Sequence, residues 1–160
     1  MTESLAELGW RPYFSAQMPD DGDGRCHPVR VMAVHRGKIA VAGAGLRRLI
    51  NPHLPHADAS DNRPTVGDWL LVDEETWEPA RILSRASLFK RRAPGNDRKS
   101  QLIAANVDTL FIVASCNQDF SVARLERYLV LAREVGVRPV VVLTKIDLTD
   151  SPGTFAAAAC

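Results

Sequence analysis

Thr144-Lys145-Ile146-Asp147 closes a strongly apolar run, Pro139-Val140-Val141-Val142-Leu143. A carboxylate placed just past the carboxyl end of a buried parallel strand sits where open α/β sheets bind their ligands. Asp147 can accept two parallel charge-assisted bonds, from the N1 hydrogen and the 2-amino group of guanine. Adenine has a lone pair at N1 and no 2-amino group, so it leaves the carboxylate unpaired at a loss of about 1–3 kcal/mol or more. The Lys145 stem can lie along the face of the base while its ammonium reaches back toward phosphate. The spacing is close to Asn-Lys-x-Asp, a guanine-reading loop, with Thr144 in place of the Asn and Ile146 at the open position. An Asn would bring an amide able to contact the purine N7, whereas Thr brings only a shorter hydroxyl. That exchange bears on affinity and leaves the discrimination by Asp147 intact. Lys-x-Asp after a strand also arises by chance, so the upstream context decides its meaning.

Upstream the order is strand, helix, strand. Residues 107–114 are β-branched and apolar enough for a buried strand. Ser121 is an N-cap for a helix over 122–135, in which Val122, Leu125, Tyr128, Leu129, Ala132 and Val135 share one face. Gly136 falls at the position that ends a helix with a left-handed residue. A second strand over 138–143 follows at once, and a right-handed crossover sets the two strands parallel.

No phosphate-binding loop precedes this unit. Such a loop needs Gly-x-x-x-x-Gly-Lys-Ser/Thr, so that backbone N–H groups cradle phosphate and a hydroxyl reaches Mg²⁺. The Gly37-Lys38 pair has Met32 at the first glycine position and Ile39 at the hydroxyl position. Asp21-Gly22-Asp23-Gly24 matches the Asp-x-x-Gly of a magnesium loop but follows Pro19 and Asp20 with no apolar strand, so it reads as a solvated acidic turn. As a calcium loop it fails too, with Pro19 and Arg30 at the first and last ligand positions. Cys26-His27 and His53-x-x-His56 have no further ligands at metal spacing and read as loop histidines. The chain thus carries a base-reading motif and no catalytic residue.

The first half reads as short strands, over 29–34 and 38–42 around an Arg36-Gly37 turn, then 46–50, 68–72 and 80–83. Residues 51–64 have the composition of a surface loop. Five short strands with one long loop suit a Greek-key barrel of the OB type. Trp69 and Trp77 read as core or barrel-rim residues rather than nucleic-acid stacking platforms. Net charge is only +1 over 160 residues, but it is segregated. Arg81, Arg85, Lys90, Arg91, Arg92, Arg98 and Lys99 crowd one interval with Asp97 as its acid. That run is either a solvated linker or, with Arg36, Lys38, Arg47 and Arg48, a surface for RNA phosphates. Pro94-Gly95-Asn96 within it suggests a flexible tether. No window approaches the ~18 apolar residues of a membrane span. Three separated cysteines, Cys26, Cys116 and Cys160, indicate neither a disulfide framework nor a zinc knuckle, and the cytoplasm is the expected compartment.

Several segments in this order resemble the RsgA/YjeQ-type circularly permuted GTPases, also called ribosome small-subunit-dependent GTPase A. They are Leu8-Gly9-Trp10, Val34-His35-Arg36-Gly37, Thr65-Val66-Gly67-Asp68-Trp69, the stretch 101–108, Asp119-Phe120, Leu125-Glu126-Arg127-Tyr128-Leu129 and the stretch 139–148. The resemblance implies a β region followed by α/β. An N-terminal extension and OB-fold barrel over 1–88 would bind RNA, a basic linker would span 89–105, and 106–160 would open a permuted P-loop-type G domain. It implies a GTP hydrolase acting in small ribosomal subunit maturation, with the small subunit, its rRNA and GTP or GDP as partners. It also implies Mg²⁺ with the GTP, Zn²⁺ in a C-terminal domain whose ligands are absent here, and a monomer without membrane attachment. The phosphate, magnesium and zinc segments of the family are not in this sequence, which looks like an N-terminal part. Two other readings stay open: a stand-alone OB-fold RNA-binding module, and a βαβ domain of another phosphotransferase type with an accidental Lys-x-Asp.

Overall fold

The computed structural model describes residues 3–19, 25–55, 63–92 and 100–159, the Arg92 side chain excepted. The acidic turn at 20–24, residues 56–62 of the expected loop (His56 among them), Pro94-Gly95-Asn96, Asp97, Arg98, Lys99 and Cys160 lie outside the described residues. The chain divides into two compact units, Met1–Asn106 and Val107–Cys160.

The first unit runs through a short helix α1 (Pro12–Ser15), then β1 (Cys26–His35), β2 (Lys38–Gly43), β3 (Leu46–Ile50), β4 (Trp69–Asp73) and β5 (Pro79–Ile82). The five strands pair antiparallel in the order β3-β2-β1-β4-β5. One face gathers Val29, Val31, Ile39, Val41, Ile50, Leu70 and Val72. The other is covered by the N-terminal segment, where Leu8 and Phe14 pack with Ala42, Trp69, Leu71 and Leu83. Strand β4 is therefore buried on both faces, which is why Trp69-Leu70-Leu71-Val72 is apolar without alternation. Trp10 meets the Trp69 ring edge-on with centroids 4.7 Å apart. Trp69 is a core residue, fully buried. Trp77 sits in the β4–β5 turn, half-buried against the inner core, with the Arg48 guanidinium 4.2 Å from its ring centroid.

Residues 88–105 differ from the linker that their charge suggests. They hold β6 (Leu88–Arg92) and β7 (Ser100–Ala105), paired antiparallel. Phe89 opposes Ala104 and is buried, while Lys90 and Arg91 are exposed, so the cations occupy the wet positions of a hairpin. The first unit accordingly extends to Asn106 instead of stopping at residue 88.

That hairpin is fastened by polar groups. Among the described residues the buried polar side chains are Thr65, Asp68, Ser87 and Asn106, and they form one neighbourhood. Arg85 donates to both Asp68 carboxylate oxygens at 2.7 and 2.8 Å, and the Thr65 N–H donates to Asp68 at 2.8 Å. The Asn106 amide donates to the Gly67 carbonyl at 3.0 Å, and its oxygen accepts from the Ala86 N–H at 2.8 Å. Removing one partner of such a buried ion pair costs about 3–5 kcal/mol, because the other charge is left without an answer.

The second unit comprises β8 (Thr109–Ser115), α2 (Val122–Val135), β9 (Arg138–Thr144), a 3₁₀ turn (Ile146–Leu148) and α3 (Pro152–Ala159). The two strands are parallel, in unbroken register from Thr109 with Arg138 to Ser115 with Thr144. The Ser121 hydroxyl oxygen accepts from the Arg124 N–H at 3.3 Å and caps α2. Gly136 ends the helix at φ 73°, and the following Val137 N–H returns to the Ala132 carbonyl at 2.8 Å. Leu125 and Leu129 pack on Ile112, Ala114, Val141 and Leu143. Val122 and Tyr128, expected on the same face, are exposed. On the opposite face of β8, Phe111 and Val113 are 64% and 62% exposed.

Gly67 offers a direct test of the fold. It has φ 89°, and a Cβ there would lie 2.0 Å from the Ala105 carbonyl oxygen, whereas a Cβ on Gly37 (φ 78°) meets nothing within 4 Å. Gly37→Ala therefore carries only the left-handed strain of about 1–2 kcal/mol. Gly67→Ala adds a backbone clash and costs roughly 3 kcal/mol or more. Denaturant titration of both variants checks this, and equal costs would contradict the close approach.

Candidate guanine-reading site

The site is built where β8 and β9 end together. Pro139 to Leu143 drive β9 against β8 and α2, and the ladder's last rung is the Cys116 N–H donating to the Thr144 carbonyl at 2.9 Å. The Thr144 hydroxyl turns the same way and donates to the Ala114 carbonyl at 3.3 Å. Residue 144 is thus tied to β8 by its backbone and by its side chain. Its hydroxyl is spent within the fold.

Beyond that tie the chain changes direction sharply. Lys145 adopts the left-handed conformation, φ 56° and ψ 35°, unusual for a residue with a Cβ. Strain of this kind is held by surrounding structure and clusters at binding sites. Here the Thr144 tie precedes it and a 3₁₀ turn follows, closed by the Leu148 N–H donating to the Lys145 carbonyl at 3.1 Å. Lys145, Ile146 and Asp147 are all exposed. The loop therefore presents an ammonium and a carboxylate to solvent at the carboxyl edge of a parallel strand pair, with backbone geometry fixed on both sides.

The β8 side contributes a group that residue types alone do not single out. Ser115 Oγ donates to Asn117 Oδ1 at 2.9 Å, and the Asp119 N–H donates to the same oxygen at 3.0 Å. The Phe120 N–H then closes the turn on the Asn117 carbonyl at 3.0 Å. The only sequence signal for Asn117 is its place three residues past the apolar run.

The expected RNA cations fare unevenly. Arg36 and Lys38 flank the β1–β2 turn and are exposed, as are Lys90 and Arg91 on β6. Arg91 donates to Gln101 Oε1 at 3.0 Å. Arg47 is held by Glu3, with its Nη2 2.5 Å from a carboxylate oxygen, and that neighbour raises its pKa by hydrogen bonding first and charge second. Arg48 lies over Trp77. Of the basic run, Arg81 donates to the Gln17 carbonyl and Arg85 is consumed by Asp68. The Arg92 side chain lies outside the described residues. His27 contacts Glu74 at 3.5 Å, and among the described residues no three His, Cys, Asp or Glu side chains form a metal cluster. No described helix is long and apolar enough to cross a membrane.

These elements have close counterparts. The fold is shared with YloQ, a circularly permuted GTPase, at a TM-score of 0.61 and 22% identity over 88% of this chain and 50% of that one. YjeQ from Thermotoga maritima matches with a TM-score of 0.59 and 22% identity, covering 82% of this chain and 46% of that one. Residues 82–159 match the family described as RsgA GTPase. The chain is 44% identical to small ribosomal subunit biogenesis GTPase RsgA 2 of Vibrio parahaemolyticus, over 91% of its own length and 39% of the relative's. It is 43% identical to RsgA of Mesorhizobium japonicum, over 95% of its own length and 42% of the relative's. The strand pair with its Lys-x-Asp loop thus belongs to the permuted GTPase class of fold. Within that class the chain belongs to the RsgA family, and it spans about two fifths of the length of the curated relatives it matches.

Proposed function

We propose that this chain is the RNA-docking and guanine-reading part of a GTPase that acts in maturation of the small ribosomal subunit. The observation that carries the reading is the Lys145–Asp147 loop, braced by Thr144 and aimed outward at the carboxyl edge of β8 and β9. Asp147 accepts from guanine N1–H and the 2-amino group, and Lys145 lies along the base and neutralises phosphate charge. The strand order of the first unit supports an OB-type barrel, with β3 and β5 as the strands across its seam. Its exposed cations, Arg36, Lys38, Lys90 and Arg91, are the RNA contacts in this reading. Mg²⁺ would accompany the triphosphate and Zn²⁺ would serve a further domain. Among the described residues no three His, Cys, Asp or Glu side chains come together as a metal cluster.

Asp147→Asn in the full-length protein tests the base reader. The amide places a donor against a guanine donor, whereas xanthine presents a 2-oxo group that it can serve. GTP affinity should fall by about 1–3 kcal/mol or more while XTP gains. Competition titration with GTP, XTP and ATP measures this, and unchanged GTP affinity would show that Asp147 does not touch the base.

The RNA face has its own test. Replacing Lys90 and Arg91 by Ala should lower the salt slope of small-subunit binding by roughly 0.7–0.9 for each phosphate no longer neutralised. Arg47→Ala should leave the slope unchanged, since Glu3 already answers that charge. The opposite pattern would place the RNA elsewhere.

A further inference from the structure

Guanine carries two acceptors, O6 and N7, on the edge that a carboxylate cannot serve. Asp147 is an acceptor when ionised, and Thr144 has its hydroxyl committed to the Ala114 carbonyl at 3.3 Å. A loop that reads guanine through residues 144–147 alone therefore has no side-chain amide for that edge. The adjacent strand end has one.

Asn117 follows β8 at the edge where β9 delivers residue 144, and the Cys116 N–H just before it bonds the Thr144 carbonyl at 2.9 Å. Two donors, Ser115 Oγ at 2.9 Å and the Asp119 N–H at 3.0 Å, converge on Asn117 Oδ1. They settle which end of the carboxamide is which, because the Asp119 N–H could not face the amide nitrogen. The oxygen is turned into the turn and the NH₂ group is the end left over. No described residue accepts from it. The side chain is half-buried, so its rotamer is held by the turn while its donor stays available. The arrangement is a fixed, neutral, two-proton donor beside the base-reading loop.

We propose that Asn117 is a specificity-determining residue of the nucleotide site, donating from Nδ2 to the N7/O6 edge of guanine. The proposal rests on the reading of Asp147 as base reader and adds a second strand end to that site. The amide stands in for the one that residue 144 does not supply, and the base is read from both strand ends.

The test uses the full-length protein and equilibrium titration with GTP, 7-deaza-GTP (no N7 acceptor), 6-thio-GTP (a weak acceptor at position 6) and ITP (no 2-amino group). The wild type should bind 7-deaza-GTP or 6-thio-GTP about five- to tenfold more weakly than GTP, the worth of one hydrogen bond. Asn117→Asp keeps both oxygen-accepted bonds of the turn and replaces the donor by an acceptor. It should weaken GTP by at least as much and abolish the penalty for the same analogue, while the ITP penalty set by Asp147 persists. Asn117→Ser, which retains a turn-forming oxygen, should lose the same analogue discrimination. Variants that keep the wild-type ratios would overturn the proposal. Should neither variant fold, the wild-type titration still decides, because equal affinity for GTP and both edge analogues leaves nothing for Asn117 to read. Intact ITP discrimination with no edge discrimination removes Asn117 alone, whereas loss of ITP discrimination in the wild type removes the Asp147 reading and this one with it.

Discussion

The parallel register between β8 and β9 runs without slip from Thr109 opposite Arg138 to Ser115 opposite Thr144, and the candidate site depends on it. A shift of one residue would turn every β9 side chain to the other face and move Thr144 away from Ala114. The register is specified by apolar packing on one side, where Leu125 and Leu129 of α2 meet Ile112, Ala114, Val141 and Leu143. It is finished at the carboxyl end by two bonds to residue 144, one to its carbonyl and one from its hydroxyl. Only with that residue held can Lys145 take up a left-handed backbone and turn Asp147 outward. The strain of about 1–2 kcal/mol at Lys145 is small beside the packing that fixes its neighbours.

The first unit solves a different problem with different means. A small sheet has two faces, and a short N-terminal segment covers one of them through Leu8, Trp10 and Phe14. Among the described side chains of the β6–β7 hairpin only Phe89 and Ala105 are fully buried, and the hairpin is fastened as well by the buried carboxylate of Asp68, the guanidinium of Arg85 and the carboxamide of Asn106. Buried polar groups of this kind add little stability over apolar ones but tolerate no missing partner. They also explain Gly67, which must let the Ala105 carbonyl come close. The same network withdraws Arg85 from the basic run, and Glu3 withdraws Arg47, so charge counted along the sequence overstates what faces an RNA.

Much of the second unit was legible in the sequence because each of its signals is local. Ser121 and Gly136 bracket α2, the apolar spacing gives Leu125, Leu129 and Ala132 of its inward face though not Val122 and Tyr128, and the run before Thr144 is unmistakably a strand. The five strands of the first sheet were likewise visible, with β3 matched at both ends and no end displaced by more than three residues. The β6–β7 hairpin was not, since Lys90, Arg91 and Arg92 read as solvated and the two apolar residues before them, Leu88 and Phe89, are too short a run to mark a strand. The Asp68–Arg85 and Gly67–Asn106 bonds join residues 17 and 39 positions apart, a separation that composition and periodicity do not encode. At the candidate site, residue types and spacing singled out Lys145 and Asp147. The commitment of Thr144 to Ala114 and the orientation of Asn117 needed the strand ends to be brought together first.

The central claim is that the edge shared by β8 and β9 seats a guanine against Asp147. A crystal structure of the full-length protein with bound GDP tests it most directly. The base is expected at that edge, with N1 and the 2-amino nitrogen each about 2.7–3.0 Å from an Asp147 carboxylate oxygen. A base seated elsewhere, or one at this edge with Asp147 facing water, would contradict it.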